Sequence, residues 1–144
     1  MTGALPLGEY PLHLGLGAMA VPQPAFTGMD WYAAYAERHG GDGAEGRLVS
    51  MYRFTESWTS WEMHPAGAEV VICTAGRIVL IQELADGPCE TGLGPGDYAI
   101  NPPGVWHTAD VEQDATAIFI TSGLGTDHRP RRMPPAERSG GTGL

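Results

Sequence analysis

The sequence predicts an all-β domain, a sandwich or barrel of antiparallel strands, preceded by one short N-terminal helix. Three observations carry this. Segments rich in β-branched and aromatic residues recur at intervals of roughly ten residues from Arg47 onward. The breaks between them hold turn residues, as in Pro65-Ala66-Gly67, Ala75-Gly76, Asp86-Gly87-Pro88, Gly94-Pro95-Gly96 and Pro102-Pro103-Gly104. Helical spacing is confined to one stretch around Trp31, Ala34 and Tyr35.

In chain order, residues 1–28 are rich in Gly and Pro and read as an arm. Its one alternating stretch, Leu12-His13-Leu14-Gly15-Leu16, suits an edge strand. Thr27 with Asp30 three residues later resembles a capping box and starts a helix over 29–39, which Gly40-Gly41 ends. Strands are expected at 47–54, 58–63, 69–74, 77–83, 98–101, 105–111 and 115–121, so that the barrel with its helix occupies 29–124. Residues 125–144 turn to Gly, Pro, Arg and Ser with little apolar periodicity and read as a flexible tail.

Composition narrows the function. The 144-residue length fits one domain. The net charge is -9, and all eight basic residues are arginine, because the sequence has no lysine. Half of these arginines, Arg129, Arg131, Arg132 and Arg138, fall in the last stretch, leaving the body more acidic still. Such a chain is not expected to bind nucleic acid, and it excludes lysine Schiff-base chemistry and a P-loop. No apolar run approaches the length of a membrane span, and residues 1–7 lack the features of a secretory signal, so a cytoplasmic protein without a membrane partner is expected. Cys73 and Cys89 form no metal or disulfide pattern and read as reduced thiols.

Potential ligands concentrate in two segments. In Trp61-Glu62-Met63-His64-Pro65-Ala66-Gly67-Ala68-Glu69, strand alternation puts Glu62 and His64 on one face, with Trp58 and Ser60 behind them, and the turn lets Glu69 face the same space. In Gly96 to His107, a strand ends at Pro102-Pro103-Gly104 and the chain re-enters a strand that sets His107 beside Val105, Ala109 and Val111.

These segments resemble the two motifs of the cupin superfamily. The first reads Glu62-x-His64, four residues, Glu69, six residues, Gly76, with Glu62 where the family has its first histidine and Glu56 where it has an opening glycine. The second reads Gly96, five residues, Pro102-x-Gly104, two residues, His107, with Val111 at the family's final Asn. The resemblance spans about residues 47–121 and implies a double-stranded β-helix, or jelly-roll barrel, that holds one divalent metal ion through Glu62, His64, Glu69 and His107. Two imidazoles with one or two carboxylates suit Fe, Mn, Ni or Zn. Glu62 reads equally as a ligand, as a partner of the ligands, or as a free acid/base that makes it the candidate catalytic residue. The metal-free alternative is a polar cluster satisfied by its own hydrogen bonds.

Trp58, Arg53 and Tyr98 are the candidate substrate-binding residues. Trp58 shares parity with His64, and Arg53 alternates with Met51 and could meet an anionic ligand. The competing reading is packing for the aromatics and a solvated surface for Arg53. Trp58, Val71, Val105, Ile118 and Ile120 are the expected walls. The implied function is a metal-dependent enzyme acting on a small organic molecule, of oxygenase, lyase, isomerase, decarboxylase or cyclase type, with a small-molecule-binding or sensor module as the alternative. A homodimer is expected, with the Leu12 to Leu16 stretch added to a neighbour's sheet.

Overall fold

Alternation along the central strands decides which side chains meet. In the computed structural model, which describes residues 3–132, the strands are β1 (Leu12–Leu14), β2 (Ala20–Pro22), β3 (Arg47–Phe54), β4 (Ser60–Met63), β5 (Glu69–Gly76), β6 (Ile78–Leu84), β7 (Gly87–Leu93), β8 (Tyr98–Asn101), β9 (His107–Asp110), β10 (Ala115–Thr121) and β11 (Asp127–Pro130), with helix α1 (Met29–His39) before β3. All pairings are antiparallel and form two sheets, in the orders β2-β1-β3-β10-β5-β8 and β11-β4-β9-β6-β7. This is the expected jelly-roll barrel.

Val71 and Cys73 of β5, Ala115, Ala117 and Phe119 of β10, and Ala109 of β9 with Val111 just beyond it point inward and build the core with Ile78 and Leu93. The same parity places polar groups at one end of that interior. Glu69 precedes Val71 on β5, and His107 precedes Ala109 on β9. Ile118 and Ile120, expected as walls, alternate with Ala117 and Phe119 and so face away from the barrel interior.

Gly76 shows why a motif position demands glycine. Its φ is +71°, and a Cβ there would lie 2.1 Å from the Asp114 carbonyl oxygen across the ladder. Gly76→Ala is expected to cost about 2–4 kcal/mol from left-handed strain plus this clash. Thermal unfolding should show a melting temperature lowered by several degrees.

Four features differ from the sequence reading. β7 lies where a loop was expected, because its exposed Gly-Pro-Cys-Glu-Thr-Gly run has no inward-facing period to betray an edge strand. β11 occupies part of the supposed tail: it pairs with β4 in the register Asp127↔Met63 to Pro130↔Ser60, and the rest of that tail, 133–144, lies outside the described residues. β1 is used within its own chain, between β2 and β3, and is not a free arm for a neighbour. α1 has the expected bounds, but its N-cap is Gly28 with no side-chain capping bond, so the Thr27/Asp30 box is not formed. The helix is instead anchored by Trp31, buried and donating Nε1–H to the Pro24 carbonyl at 3.0 Å. Cys73 is buried and Cys89 exposed, both as free thiols. No helix among the described residues is long and apolar enough to cross a membrane.

Candidate metal centre

Both sheets supply the site. β4 carries Glu62, whose backbone partner across the ladder is His107 on β9, and the chain leaving β4 carries His64. The other sheet supplies Glu69 from the start of β5, paired in register with Asn101 on β8. The two motif turns are tied together where the Gly104 amide donates to the His64 carbonyl at 2.9 Å. Ligand atoms of Glu62, His64, Glu69 and His107 all lie within 4.8 Å of one another, and all but the half-buried Glu62 are buried.

The hydrogen bonds around this cluster fix its chemistry. His107 Nδ1 faces the Val105 carbonyl at 3.3 Å, and a carbonyl only accepts, so Nδ1 carries the proton. Thr126 donates its hydroxyl to the Gly123 carbonyl at 3.0 Å, which leaves its oxygen to accept from His64 Nδ1–H at 2.8 Å. Both neutral imidazoles therefore turn an Nε2 lone pair inward. His64 Nε2 lies 3.2 Å from Glu62 Oε1 and 3.2 Å from Glu69 Oε2, and His107 Nε2 lies 3.2 Å from Glu69 Oε1 and 3.5 Å from Glu62 Oε1. Neither Nε2 is aligned for a hydrogen bond with any of these oxygens. Two buried lone pairs facing two carboxylates repel unless a positive charge sits between them. The donor set, two imidazoles and two carboxylates, fits a divalent transition metal ion.

Protons take that place in the metal-free cluster. Burial alone would lower both histidines, but the facing Glu62 and Glu69 outweigh it and raise His64 and His107 to about 9. Burial likewise pushes Glu62 and Glu69 up, yet the two histidines hold both well below the usual carboxylate range. The histidines thus stabilise the metal-free fold fully below about pH 6.5, and that contribution is lost as pH rises through about 9. The carboxylates contribute fully above about pH 4.5 and lose it as pH falls toward their lowered values. Chelator-treated protein is therefore expected to melt highest between about pH 4.5 and 6.5. Metal affinity should climb from there toward pH 9, with proton release on binding measurable by titration calorimetry in buffers of different ionisation enthalpy.

A second layer holds Glu69 still. Asn101 Nδ2 donates to its Oε1 at 3.0 Å and Thr121 Oγ1 to its Oε2 at 2.7 Å, while Gln82 Nε2 donates to Asn101 Oδ1 at 2.8 Å. Glu62 is the freer carboxylate: its Oε1 faces the histidines and its Oε2 meets His128 Nε2 at 3.0 Å. The cluster opens into a cleft of about 660 Å³ between α1 and the barrel, walled by Tyr32 and Tyr35 of α1 and by Tyr52, Phe54, Trp58 and Phe119.

The structure brings together Glu62, His64, Glu69, His107 and, on the wall, Trp58. It does not bring in Arg53, whose side chain is 65 % exposed and pairs with Asp114 at 3.1 Å, nor Tyr98, 65 % exposed. Parity explains both, since each alternates with inward neighbours on its strand. Val71 lies in the core, and Phe119 replaces Ile118 and Ile120 as a wall. Asn101 carried a usable signal, standing just before the Pro-Pro-Gly turn. Thr126 and His128 carried none, because nothing local marks their segment as a strand.

No protein-family model matches the chain, and no curated protein matches it. Solved structures do. Peruvianin-I, a cysteine peptidase from Thevetia peruviana latex, shares 22% identity at a TM-score of 0.50, over 60% of this chain and 57% of its own. A cupin-2 domain protein from Shewanella frigidimarina shares 19% at 0.45, over 59% and 71%. Hydroquinone 1,2-dioxygenase from Sphingomonas sp. TTNP3, with 4-hydroxybenzoate bound, shares 18% at 0.45, over 54% and 60%. The chain thus spans under two thirds of the peruvianin and dioxygenase chains, and at these identities the likeness speaks to fold and not to reaction. With its two apposed antiparallel sheets and its His/Glu cluster at the positions of the two motifs, the chain has the fold of the cupin superfamily.

Proposed function

We propose that this protein is a metal-dependent enzyme that transforms a small organic molecule in the cleft between α1 and the barrel. One observation carries the reading: two imidazole lone pairs, fixed by their outer hydrogen bonds, face two carboxylates at the floor of an aromatic cleft. His64, His107 and Glu69 would hold one divalent ion, with Glu62 as the fourth and more loosely held ligand. A bound ion of this kind supplies Lewis-acid polarisation of a substrate oxygen, or electron transfer when it is redox-active.

The chain's own residues do the rest. Asn101 and Thr121 keep Glu69 in one orientation, and Val105 and Thr126 keep the histidine tautomers. Trp58, Phe54 and Phe119 exclude water from the reacting group and so strengthen its electrostatic interactions. Glu62, ionised beside the histidines, offers Oε2, bonded to His128 on the open side, as the acceptor of a substrate proton.

The test is a substrate screen on Fe(II), Mn(II), Ni(II) and Zn(II) forms, with dioxygen consumption followed separately. Glu62→Gln is expected to retain metal and to lose turnover by about 10²–10⁴-fold. A ligand that binds tightly but is transformed by none of the four forms would make the protein a binding or sensor module.

A further inference from the structure

The cleft is unusual in what it lacks. The chain has no lysine, and no arginine is among the described residues that line the cleft. Four of the arginines have partners elsewhere: Arg53 with Asp114, Arg129 with Glu83, Arg131 with Asp110, and Arg38 with Gln23. The histidines at the end remote from Glu69 have partners of their own. His13 is held between Tyr35 at 2.6 Å and Asp42 at 2.7 Å, and His39, stacked on it at 4.0 Å, has its pKa lowered by burial and then by His13 and Arg38. A ligand carboxylate or phosphate held among the aromatic walls, away from the His/Glu floor, would lose its hydration with no lysine or arginine to meet it. An organic cation would be drawn by the ring faces but repelled by a divalent ion at the floor.

The walls also hold a polar device. Tyr32 of α1 and Tyr52 of β3 are hydrogen-bonded through their hydroxyls, and both line the cleft. Burial, first among the causes, raises both pKa values, so both phenols stay protonated. Two phenols own two protons and place only one between them. The other is available to Ser50 beside Tyr52 or to a ligand oxygen.

Resting on the metal-dependent reading above, we infer that the substrate is an aromatic molecule bearing at least two oxygen functions, one reaching the His/Glu cluster and another hydrogen-bonded by the Tyr32–Tyr52 pair, and carrying no charged group where it meets the walls. The cleft volume of about 660 Å³ lies within the range usual for ligands of a few fused rings.

The experiment compares 2,3-dihydroxynaphthalene with two shape-matched probes whose charge sits at the far end: 6,7-dihydroxy-2-naphthoate and the corresponding 2-aminomethyl compound. Affinities are read by quenching of tryptophan fluorescence and by calorimetry, on metal-loaded and chelator-treated protein, with metal content measured on the same samples. The neutral diol is expected to bind the loaded protein at least about tenfold more tightly than either charged probe, and its preference over the carboxylate should persist without metal, because the walls set it. Tyr32→Phe should weaken the diol roughly three- to tenfold with metal content unchanged. Leu124→Arg, a change at an exposed rim position, should recover affinity for the carboxylate without altering the fold. Equal or tighter binding of either charged probe by the loaded protein, or diol affinity unchanged in Tyr32→Phe, would overturn the inference. Absence of bound metal would defeat the metal-dependent reading, while the carboxylate comparison on metal-free protein would still decide what the walls select.

Discussion

Replacing His107 by alanine should empty the metal centre and lower the melting temperature of the chelator-treated protein by on the order of 10 °C. His107 is fully buried and supplies one of the two inward lone pairs. Without it, Glu62 and Glu69 face a single imidazole, and three donors remain of which Glu62 is loosely held. In the metal-free protein the loss is larger than a cavity. The raised pKa of His107 means that a buried positive charge opposes the two carboxylates at neutral pH, and its removal leaves Glu69 short of a counter-charge where water does not reach. Breaking such a buried pair costs about 3–5 kcal/mol, which corresponds to roughly 10–20 °C for a domain of this size. Elemental analysis should find under about a tenth of the wild-type metal content. A His107→Ala protein that retained full metal content would remove the residue from the site.

A chain ending at Gly125 should be several kcal/mol less stable than the full chain and should load metal poorly. Its missing part includes β11, which is the only partner of β4 on the side away from β9 among the described residues. It also includes Thr126, which sets the His64 tautomer, and His128, which holds Glu62. Arg131 would be lost as well: its guanidinium bonds Asp110 at 2.7 Å and the carbonyls of Trp58 and Ala109 at 3.2 and 3.3 Å, and its amide bonds Thr59 at 3.0 Å. At about 1 kcal/mol net for each hydrogen bond, the strand and Arg131 together account for a loss of about 4 kcal/mol or more. Chemical denaturation of the two chains gives the difference directly. Equal midpoints and equal metal content would show that the segment is dispensable.

These two cases mark where sequence reading succeeds and where it stops. His107 was legible because strand alternation with Ala109 and Val111, a turn at a fixed offset, and the motif spacing all point the same way. Strands β3, β8 and β10 have the expected bounds, and β10 alternates around one buried face. β11 shows no such period. Its Asp-His-Arg-Pro run has no apolar side chain to bury, and it is a strand only because β4 presents an unpaired edge to it. Arg53 lies on a strand outside the motifs and Tyr98 in the second motif's five-residue gap, where the spacing fixes no inward position, and one residue of parity moves a side chain from the cleft to the surface. Trp31 and Tyr35 were legible as a helical stripe, but the place of Tyr35 and of Tyr32, which the stripe did not include, on a cleft wall depends on how α1 crosses the barrel, which no local pattern states.

The central claim is that one divalent ion sits between the two lone-pair nitrogens and the two carboxylates. Diffraction from crystals soaked with Zn(II) or Mn(II), collected at the metal's absorption edge, tests it most directly. The expected result is a single anomalous peak per chain about 2.0–2.2 Å from His64 Nε2, His107 Nε2 and a Glu69 oxygen. A cluster without a peak, or a peak only at the separate group of His13, His39 and Asp42, would contradict it.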